Sequence, residues 1–403
     1  MEEVEIPQYF ICPISLQIMK DPVTAITGIT YDRESIEHWL KTARDTTCPV
    51  TNQPLPRDLN LTPNHTLRRL IQAWCVLGRV ERIPTPRSPL NKQEALHLID
   101  GIGNPNLCMK SLLKLEALAT ENESNKKCLA EAGIGEAMVS LTTKCFKEGK
   151  TIGLEECLRI LHLVWSSSSD EIKPHVKENN DFVDSLTWVL GCKMDNHATL
   201  RTYAVLHMKQ VTEVATTSLL ERLKPELFKG IVRVLKDRIS QQATKAALQV
   251  LIEACPWGRN RLKIVEANAV FELIELEFEK PEKNITEFIF NLLAQLCSCA
   301  DGRAEFLNHA GGLAMLSKRI LRVSPATNDG AVHILGLITK FSATNEVLSE
   351  MLRVGVVSKL CMVIQADCAP YLKERARLIL RLHSNVWNNS PCIAVYLLTW
   401  QPR

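Results

Sequence analysis

The residues within positions 1–80 that could hold a metal ion are two histidines and three cysteines: Cys12, His38, Cys48, His65 and Cys75. Structural Zn²⁺ is usually bound by four cysteine or histidine ligands. These ligands typically occur as pairs that are only a few residues apart in the sequence. A cross-braced site for two ions would need twice that number, and this stretch contains no C-x-x-C pair. The sequence therefore predicts no metal here, and nothing in it calls for a small-molecule cofactor.

A second chemistry for the same cysteines is nucleophilic catalysis. A reactive thiol needs a positioned base or an electropositive site. Cys12 is wedged between Ile11 and Pro13, Cys48 precedes Pro49, and no histidine can be assigned to either of them. We therefore predict that the chain carries no catalytic nucleophile.

A domain of this size still needs something besides a small apolar core to hold it together. Without zinc, hydrogen bonds and ion pairs must tie its loops. Cys12 is taken as a structural residue, and the polar candidates are Asp21, Tyr31, Asp32, Arg33, Asn64 and Arg68.

The elements that must position these residues follow from the periodicity. A turn and a short strand precede a helix that begins near Asp32 or Arg33 and has an apolar face. Two loops stiffened by proline flank this helix, and a second amphipathic helix follows Pro63 and Asn64. The pattern predicts a small α+β module over residues 7–80.

The order of motifs resembles one known domain. CPISLQIMKDPV, TYDRESIEHWL, CPVTNQPL and LTPNHTLRRLI follow one another without a gap between residue 7 and about residue 77, as in the U-box, the zinc-free relative of the RING domain. U-box proteins are E3 ubiquitin-protein ligases. The resemblance implies that this surface binds a ubiquitin-charged E2 enzyme, and it leaves open a homo-oligomer through the U-box.

The resemblance also assigns the E2-binding residues. The first loop supplies Pro13, Ile14 and Leu16, and Trp39 lies on the central helix. Pro49 belongs to the second loop. Two stiff loops beside a helix form a shallow apolar groove with little conformational entropy to lose on binding. The alternative is that Ile14, Leu16 and Trp39 are core residues.

Asn52 departs from the family pattern. Some U-box relatives carry an arginine just after the Pro-x-Thr of the second loop, where it clamps E2 and ubiquitin together. Asparagine can still donate a hydrogen bond, but it has less reach and no charge. We expect E2 binding at Asn52 with weaker stimulation, or with stimulation that depends on Gln53 or on the E2 itself.

Residues 81–92 are predicted to be a linker. Pro84, Pro86 and Pro89 block helix and favour an extended spacer. Thr85 and Ser88 each precede a proline and are candidate sites for proline-directed kinases.

The remaining residues, 93–403, are predicted to form an all-α solenoid. Anchors of small or polar residues before an apolar helix recur 43 to 47 residues apart, at Gly133, Asn180, Lys224, Asn268, Gly311 and Gly355. A short helix before each anchor, a longer one after it and then a third indicate armadillo rather than HEAT repeats. Such units stack into a right-handed solenoid with a concave groove.

Whole-chain properties narrow the function. The charge is nearly balanced, with 48 basic and 45 acidic residues, which argues against a nucleic-acid-binding solenoid. No apolar run is long enough to span a membrane, the N-terminus does not resemble a signal peptide, and the 14 cysteines lack a disulfide framework. We expect a cytoplasmic protein, with a nuclear fraction left open.

The whole architecture is similar to plant U-box ligases with armadillo repeats, in particular the subgroup associated with stress and immunity. The resemblance implies that the repeats hold a protein substrate while the U-box recruits the charged E2, in stress or defence signalling. The alternative is a non-enzymatic armadillo scaffold whose U-box only docks partners. An autoubiquitination assay separates the two.

Overall fold

The computed structural model describes residues 6–42, 47–56, 61–77, 90–167, 169–192, 197–387, 390–391 and 393. The chain divides into two compact units, residues 1–89 and 90–403. The predicted linker and its Thr85 and Ser88 lie almost entirely outside the described residues. Its last residues belong to the second unit, because Asn91 accepts a hydrogen bond from the Glu94 N–H and caps a helix that begins at Lys92.

The N-terminal unit is a small α+β module. Strands β1 (Pro22–Thr24), β2 (Thr30–Asp32) and β3 (Thr62–Pro63) form an antiparallel sheet in the order β2-β1-β3. Helix α1 (Arg33–Thr42) follows β2, and helix α2 (His65–Leu77) follows β3. Proline is tolerated in β3 because this strand lies at the edge of the sheet.

The core of this unit joins the sheet to both helices. Tyr31 from β2, Ile36 and Leu40 from α1 and Ile71 from α2 are buried in it. The apolar face expected on the second helix is narrower than the sequence suggests, since Leu70 is exposed. The core therefore fixes the loops from behind and leaves their tips free.

The second unit is helical throughout its described residues. It begins with α3 (Lys92–Asp100) and α4 (Cys108–Glu121). Six three-helix units follow: α5 (Glu123–Glu131), α6 (Ile134–Glu148) and α7 (Leu154–Val164); α8 (Ser169–Val176), α9 (Asn180–Gly191) and α10 (His197–Val214); α11 (Thr217–Glu221), α12 (Pro225–Asp237) and α13 (Gln241–Ala254); α14 (Asn260–Glu266), α15 (Ala269–Phe278) and α16 (Lys283–Leu296); α17 (Ala300–Asn308), α18 (Gly312–Arg319) and α19 (Pro325–Phe341); α20 (Asn345–Arg353), α21 (Val356–Gln365) and α22 (Pro370–Leu382). The short helix α23 (Ser384–Trp387) comes last.

The units stack through like helices. Helix α4 packs on α7, the third helix of the first unit, and each third helix then packs on the third helix of the next unit as far as α22. The second helices pack on one another in the same way, from α6 to α21. One continuous apolar core runs through the stack. No unit could bury its apolar faces alone, so the array stabilises itself by nearest-neighbour contacts.

The sequence anchors mark the turns between first and second helices. Gly133, Asn268 and Gly355 have φ values of 84°, 67° and 77°. Only glycine and asparagine adopt this left-handed region at little cost, which explains why these residue types recur there. The expected helix lengths fail in one unit, because α18 has 8 residues and α17 has 9.

Candidate functional site: the loop groove of the N-terminal unit

The two proline loops share one backbone design. In the first loop (Cys12–Gln17) and the second loop (Cys48–Gln53), the N–H of the cysteine donates to the carbonyl of the last residue over 2.8 Å. The N–H of the preceding residue, Leu16 or Asn52, donates to the carbonyl of the cysteine over 2.9 Å in both loops. Leu16 and Asn52 therefore occupy equivalent positions.

These two equivalent positions have unusual backbone angles. The φ values are 55° for Leu16 and 56° for Asn52. Asparagine tolerates this conformation, but leucine pays a steric cost of about 1 kcal/mol because its Cβ approaches the following carbonyl. The leucine side chain gains nothing from burial in return, since it is 76% exposed. A strained and exposed leucine is a candidate contact residue.

The two loops carry both exposed and half-buried apolar side chains. Val50 of the second loop is 49% exposed, and Pro13 is exposed as well. Ile14 and Pro49 are half-buried, and Ile14 packs against the core. The core alternative raised for Leu16 is thus excluded by its exposure, whereas Ile14 serves both the core and the surface.

Trp39 connects helix α1 to the second loop. Its side chain is half-buried against the core, and its Nε1–H donates to the Thr47 carbonyl over 2.9 Å. Thr47 also forms a β-bridge with Pro54, which closes the base of the second loop. Trp39 therefore positions this loop while part of its ring stays accessible.

The loop cysteines act as hydrogen-bond acceptors in the interior. Both are fully buried. The Cys12 sulfur accepts from the Asp32 N–H over 3.3 Å. The Cys48 sulfur lies 2.9 Å from the Tyr31 hydroxyl and accepts from the Thr51 N–H over 3.4 Å. These contacts anchor both loops to strand β2 and its neighbourhood.

Charged groups tie the segment between the first loop and strand β1 to both helices. The Asp21 carboxylate accepts from Arg33 Nε over 2.7 Å and lies 3.8 Å from Arg68 Nη1. One Asp32 carboxylate oxygen accepts from the N–H groups of Lys20 and Asp21, over 2.7 and 2.8 Å. Polar groups therefore hold the segment that precedes strand β1 to strand β2 and to both helices.

Asn64 contributes at the start of α2. Its Oδ1 accepts from the Leu67 N–H over 3.0 Å and caps the helix, and its Nδ2 donates to the Thr30 hydroxyl over 3.5 Å. The structure thus brings the predicted polar residues into one connected framework around β1 and β2. Their importance for folding stays a prediction.

Two contributors were not predicted from the sequence: Thr27 and Thr51 approach the Cys48 sulfur. Val50, the apolar residue that follows Pro49, is exposed and adds to the apolar surface of the second loop. The repeated pattern Cys-Pro-x-[Ser/Thr] gives Val50 the position in the second loop that Ile14 has in the first.

Within the described ranges, no group of three or more histidine, cysteine, aspartate or glutamate side chains could hold a metal ion. Among the helices that the structure describes, none combines the length and the apolar character needed to cross a membrane.

The third helices of the solenoid carry ion-paired rather than free arginines at two prominent places. Arg159 contacts Glu116 over 2.8 Å and Glu155 over 2.6 Å. Arg375 contacts Asp329 over 2.9 Å. Polar groups occupy the middle of this layer, where Gln295 donates to Asn291 over 3.3 Å.

Both units match family models. Residues 6–78 match the U-box domain, and residues 95–402 match the plant U-box protein ARM repeat region. A designed armadillo repeat protein of known structure is 15% identical with a TM-score of 0.42, covering 72% of this chain and 99% of that chain.

Three relatives from Arabidopsis thaliana extend over the whole length. E3 ubiquitin-protein ligase PUB23 is 45% identical, covering 100% of this chain and 98% of the relative. E3 ubiquitin-protein ligase PUB24 is 43% identical over 99% and 96%, and E3 ubiquitin-protein ligase PUB22 is 40% identical over 97% and 97%. The predicted fold class is confirmed, and the chain belongs to the plant U-box proteins with an armadillo-repeat region.

Proposed function

We propose that this protein is an E3 ubiquitin-protein ligase whose U-box recruits a ubiquitin-charged E2 enzyme. The observation that carries the proposal is the apolar surface of two proline loops with the same backbone hydrogen bonds, in which Leu16 and Val50 are exposed and Ile14 is half-buried. Leu16 has a strained backbone, and its exposed side chain has no packing role. A binding partner at this position would account for both features. Relatives named as E3 ubiquitin-protein ligases match the whole chain.

The proposed reaction is aminolysis of the E2-ubiquitin thioester by a lysine of the substrate. The ligase contributes proximity and a favoured geometry of the conjugate, and ubiquitin does not pass through a thioester on this chain. Burial of Cys12 and Cys48 supports this route, since neither sulfur is accessible to a thioester.

We propose that Asn52 of the second loop contacts the conjugate. Its side chain is exposed, and its backbone is left-handed, with a φ value of 56°. An asparagine amide can donate to a carbonyl of E2 or ubiquitin, with shorter reach than arginine. We propose that it gives a weaker clamp than an arginine would.

The solenoid is proposed to hold the substrate along its third helices. A stack of third helices from α4 to α22 offers a long continuous surface, as peptide- and protein-binding solenoids do. A role in stress or defence signalling and a homo-oligomer through the U-box rest on the family resemblance, and a cytoplasmic location rests on the whole-chain sequence properties. All three are proposals as well.

Leu16→Gly tests the groove without disturbing the fold. Glycine relieves the left-handed strain at this position, so we expect the thermal unfolding midpoint to stay the same or rise slightly. Loss of the exposed side chain is expected to lower E2 stimulation about tenfold, as for a contact residue near the centre of an interface. Single-turnover discharge of ubiquitin from E2 to free lysine measures this.

The matched control is Ile26→Ala, which truncates another exposed aliphatic side chain of the same unit, 66% exposed and outside both loops. Its discharge rate should equal that of the wild type. Equal rates for Leu16→Gly and the wild type would show that the groove is not where E2 binds.

A further inference from the structure

The Cys48 sulfur is the meeting point of three hydrogen-bonding groups. The Tyr31 hydroxyl lies 2.9 Å away, and the Thr27 hydroxyl and the Thr51 N–H each lie 3.4 Å away. They come from strand β2, from the turn between β1 and β2, and from the second loop itself. The side chain they surround is fully buried.

This arrangement is suited to a sulfur anion. A backbone N–H can only donate, and two hydroxyls can donate at the same time, so an ionised sulfur accepts from all three. A neutral thiol would donate its own proton to one of the hydroxyls, so the sulfur would accept from only two donors. The short contact with Tyr31 is what charge-assisted hydrogen bonds show.

The same contacts determine how readily the Cys48 thiol ionises. Burial raises the pKa of Cys48, but the hydrogen bonds from Thr27, Thr51 and Tyr31 together outweigh burial and lower the pKa to about 6. The pKa of Tyr31 is raised, by its burial first and then by its hydrogen bond to Cys48. The other titratable group that acts on this tyrosine is Cys12 of the first loop.

The consequence concerns the second loop. Thr51 lies between Val50 and Asn52, and its N–H is held by the Cys48 sulfur. Trp39 holds the other side of the cysteine through the Thr47 carbonyl. The strength of the sulfur contact therefore sets how firmly Val50 and Asn52 are presented.

We propose that Cys48 is a thiolate in the folded protein and is a positioning residue of the second loop, so that E2 stimulation falls reversibly when acid protonates it. The loss of stimulation rests on the proposed ligase function, whereas the thiolate itself does not.

The direction of the pH effect on stability follows from the lowered pKa of Cys48. A group whose pKa is lower in the folded than in the unfolded chain stabilises the fold above its unfolded pKa. That contribution fades as the pH falls from 9.0, the ordinary value, through about 6. One pH unit below the midpoint only about a tenth of the sulfur remains ionised. Stimulation that depends on the thiolate is then expected to fall by up to about tenfold.

The first experiment titrates the thiolate in the full chain without any E2. The far-ultraviolet absorbance of wild type minus that of Cys48→Ser is expected to rise with a midpoint at about pH 6. Tyr31→Phe removes only one of the three donors. The absorbance of Tyr31→Phe minus that of the double variant Tyr31→Phe/Cys48→Ser should therefore rise with a midpoint at a higher pH. No thiolate below pH 9.0, or a midpoint that Tyr31→Phe leaves unchanged, would overturn the proposal.

The second experiment follows function across the same pH range. The rate of discharge from charged E2 with ligase is divided by the rate without it at each pH, which cancels the pH dependence of the E2 and of the acceptor lysine. Wild type should lose stimulation through the titration midpoint and regain it when the pH is restored. Cys75→Ser, which alters another buried thiol of the same unit, should follow the wild type.

The outcomes separate the two proposals. A thiolate that titrates in a chain that stimulates no E2 at any pH contradicts the ligase function and supports the thiolate. Stimulation with no titrating thiolate contradicts the thiolate and leaves the ligase function standing. Parallel pH profiles for wild type and Cys48→Ser contradict the positioning role. If Cys48→Ser does not fold, the shift of the functional midpoint in Tyr31→Phe decides the question.

Discussion

The full chain carrying Ile14→Ala is expected to fold normally and to lose nearly all stimulation of ubiquitin discharge from E2. Ile14 is half-buried against the core, so its outer atoms are held in place before E2 arrives. A preorganised apolar residue at the centre of an interface contributes about 2 kcal/mol or more, which corresponds to about thirtyfold in affinity. Trp39→Ala should have an effect at least as large, since it also removes the hydrogen bond to Thr47.

The folding control decides how these variants are interpreted. Truncating a buried aromatic residue costs about 3 to 5 kcal/mol, and Trp39 is partly buried, so Trp39→Ala must be checked by circular dichroism and thermal unfolding. Ile14→Ala is the more informative variant because it removes less buried volume. Wild-type activity in both folded variants would mean that the groove is misplaced.

Gly302→Ala is expected to unfold part of the solenoid while leaving the U-box intact. A Cβ at this position would lie 2.0 Å from the Leu296 carbonyl oxygen and 2.6 Å from its carbon. Both are backbone atoms of the last residue of helix α16, so neither can move aside as a side chain would. Overpacking of this kind costs about 3 kcal/mol or more.

The measurement is thermal unfolding of the full chain, with Gly191→Ala as the matched control. A Cβ on Gly191 would meet no atom within 4 Å, so that variant should melt with the wild type or slightly higher. Discharge to free lysine depends on the U-box and should survive Gly302→Ala. A wild-type melting curve for Gly302→Ala would show that the turn between α16 and α17 is not as tightly packed as described.

The repeat architecture could be predicted because its anchors are local. Gly133, Asn268 and Gly355 recur since a left-handed turn between the first and second helices admits few residue types. The U-box could be predicted because its motifs are dense and ordered. Helix lengths were less accessible, as α17 and α18 show, because they depend on how neighbouring units pack.

The groove itself was only half predictable. Ile14, Leu16 and Trp39 are apolar, and composition alone does not separate a core residue from a contact residue in so small a unit. The exposure of Leu16 depends on its left-handed backbone, which the sequence does not announce, since leucine rarely adopts it. The partners of the Cys48 sulfur come from three separate segments, so only the folded chain brings them together.

The most direct test of the account is single-turnover discharge of ubiquitin from a broad panel of charged E2 enzymes in the presence of the full chain, followed by autoubiquitination with E1, E2 and ATP. We predict that at least one E2 is discharged faster with the chain than without it, that ubiquitin chains form on the ligase, and that Ile14→Ala removes both effects. A folded chain that accelerates no E2 of the panel and forms no ubiquitin chains would contradict the ligase function and leave a scaffold whose U-box only docks partners.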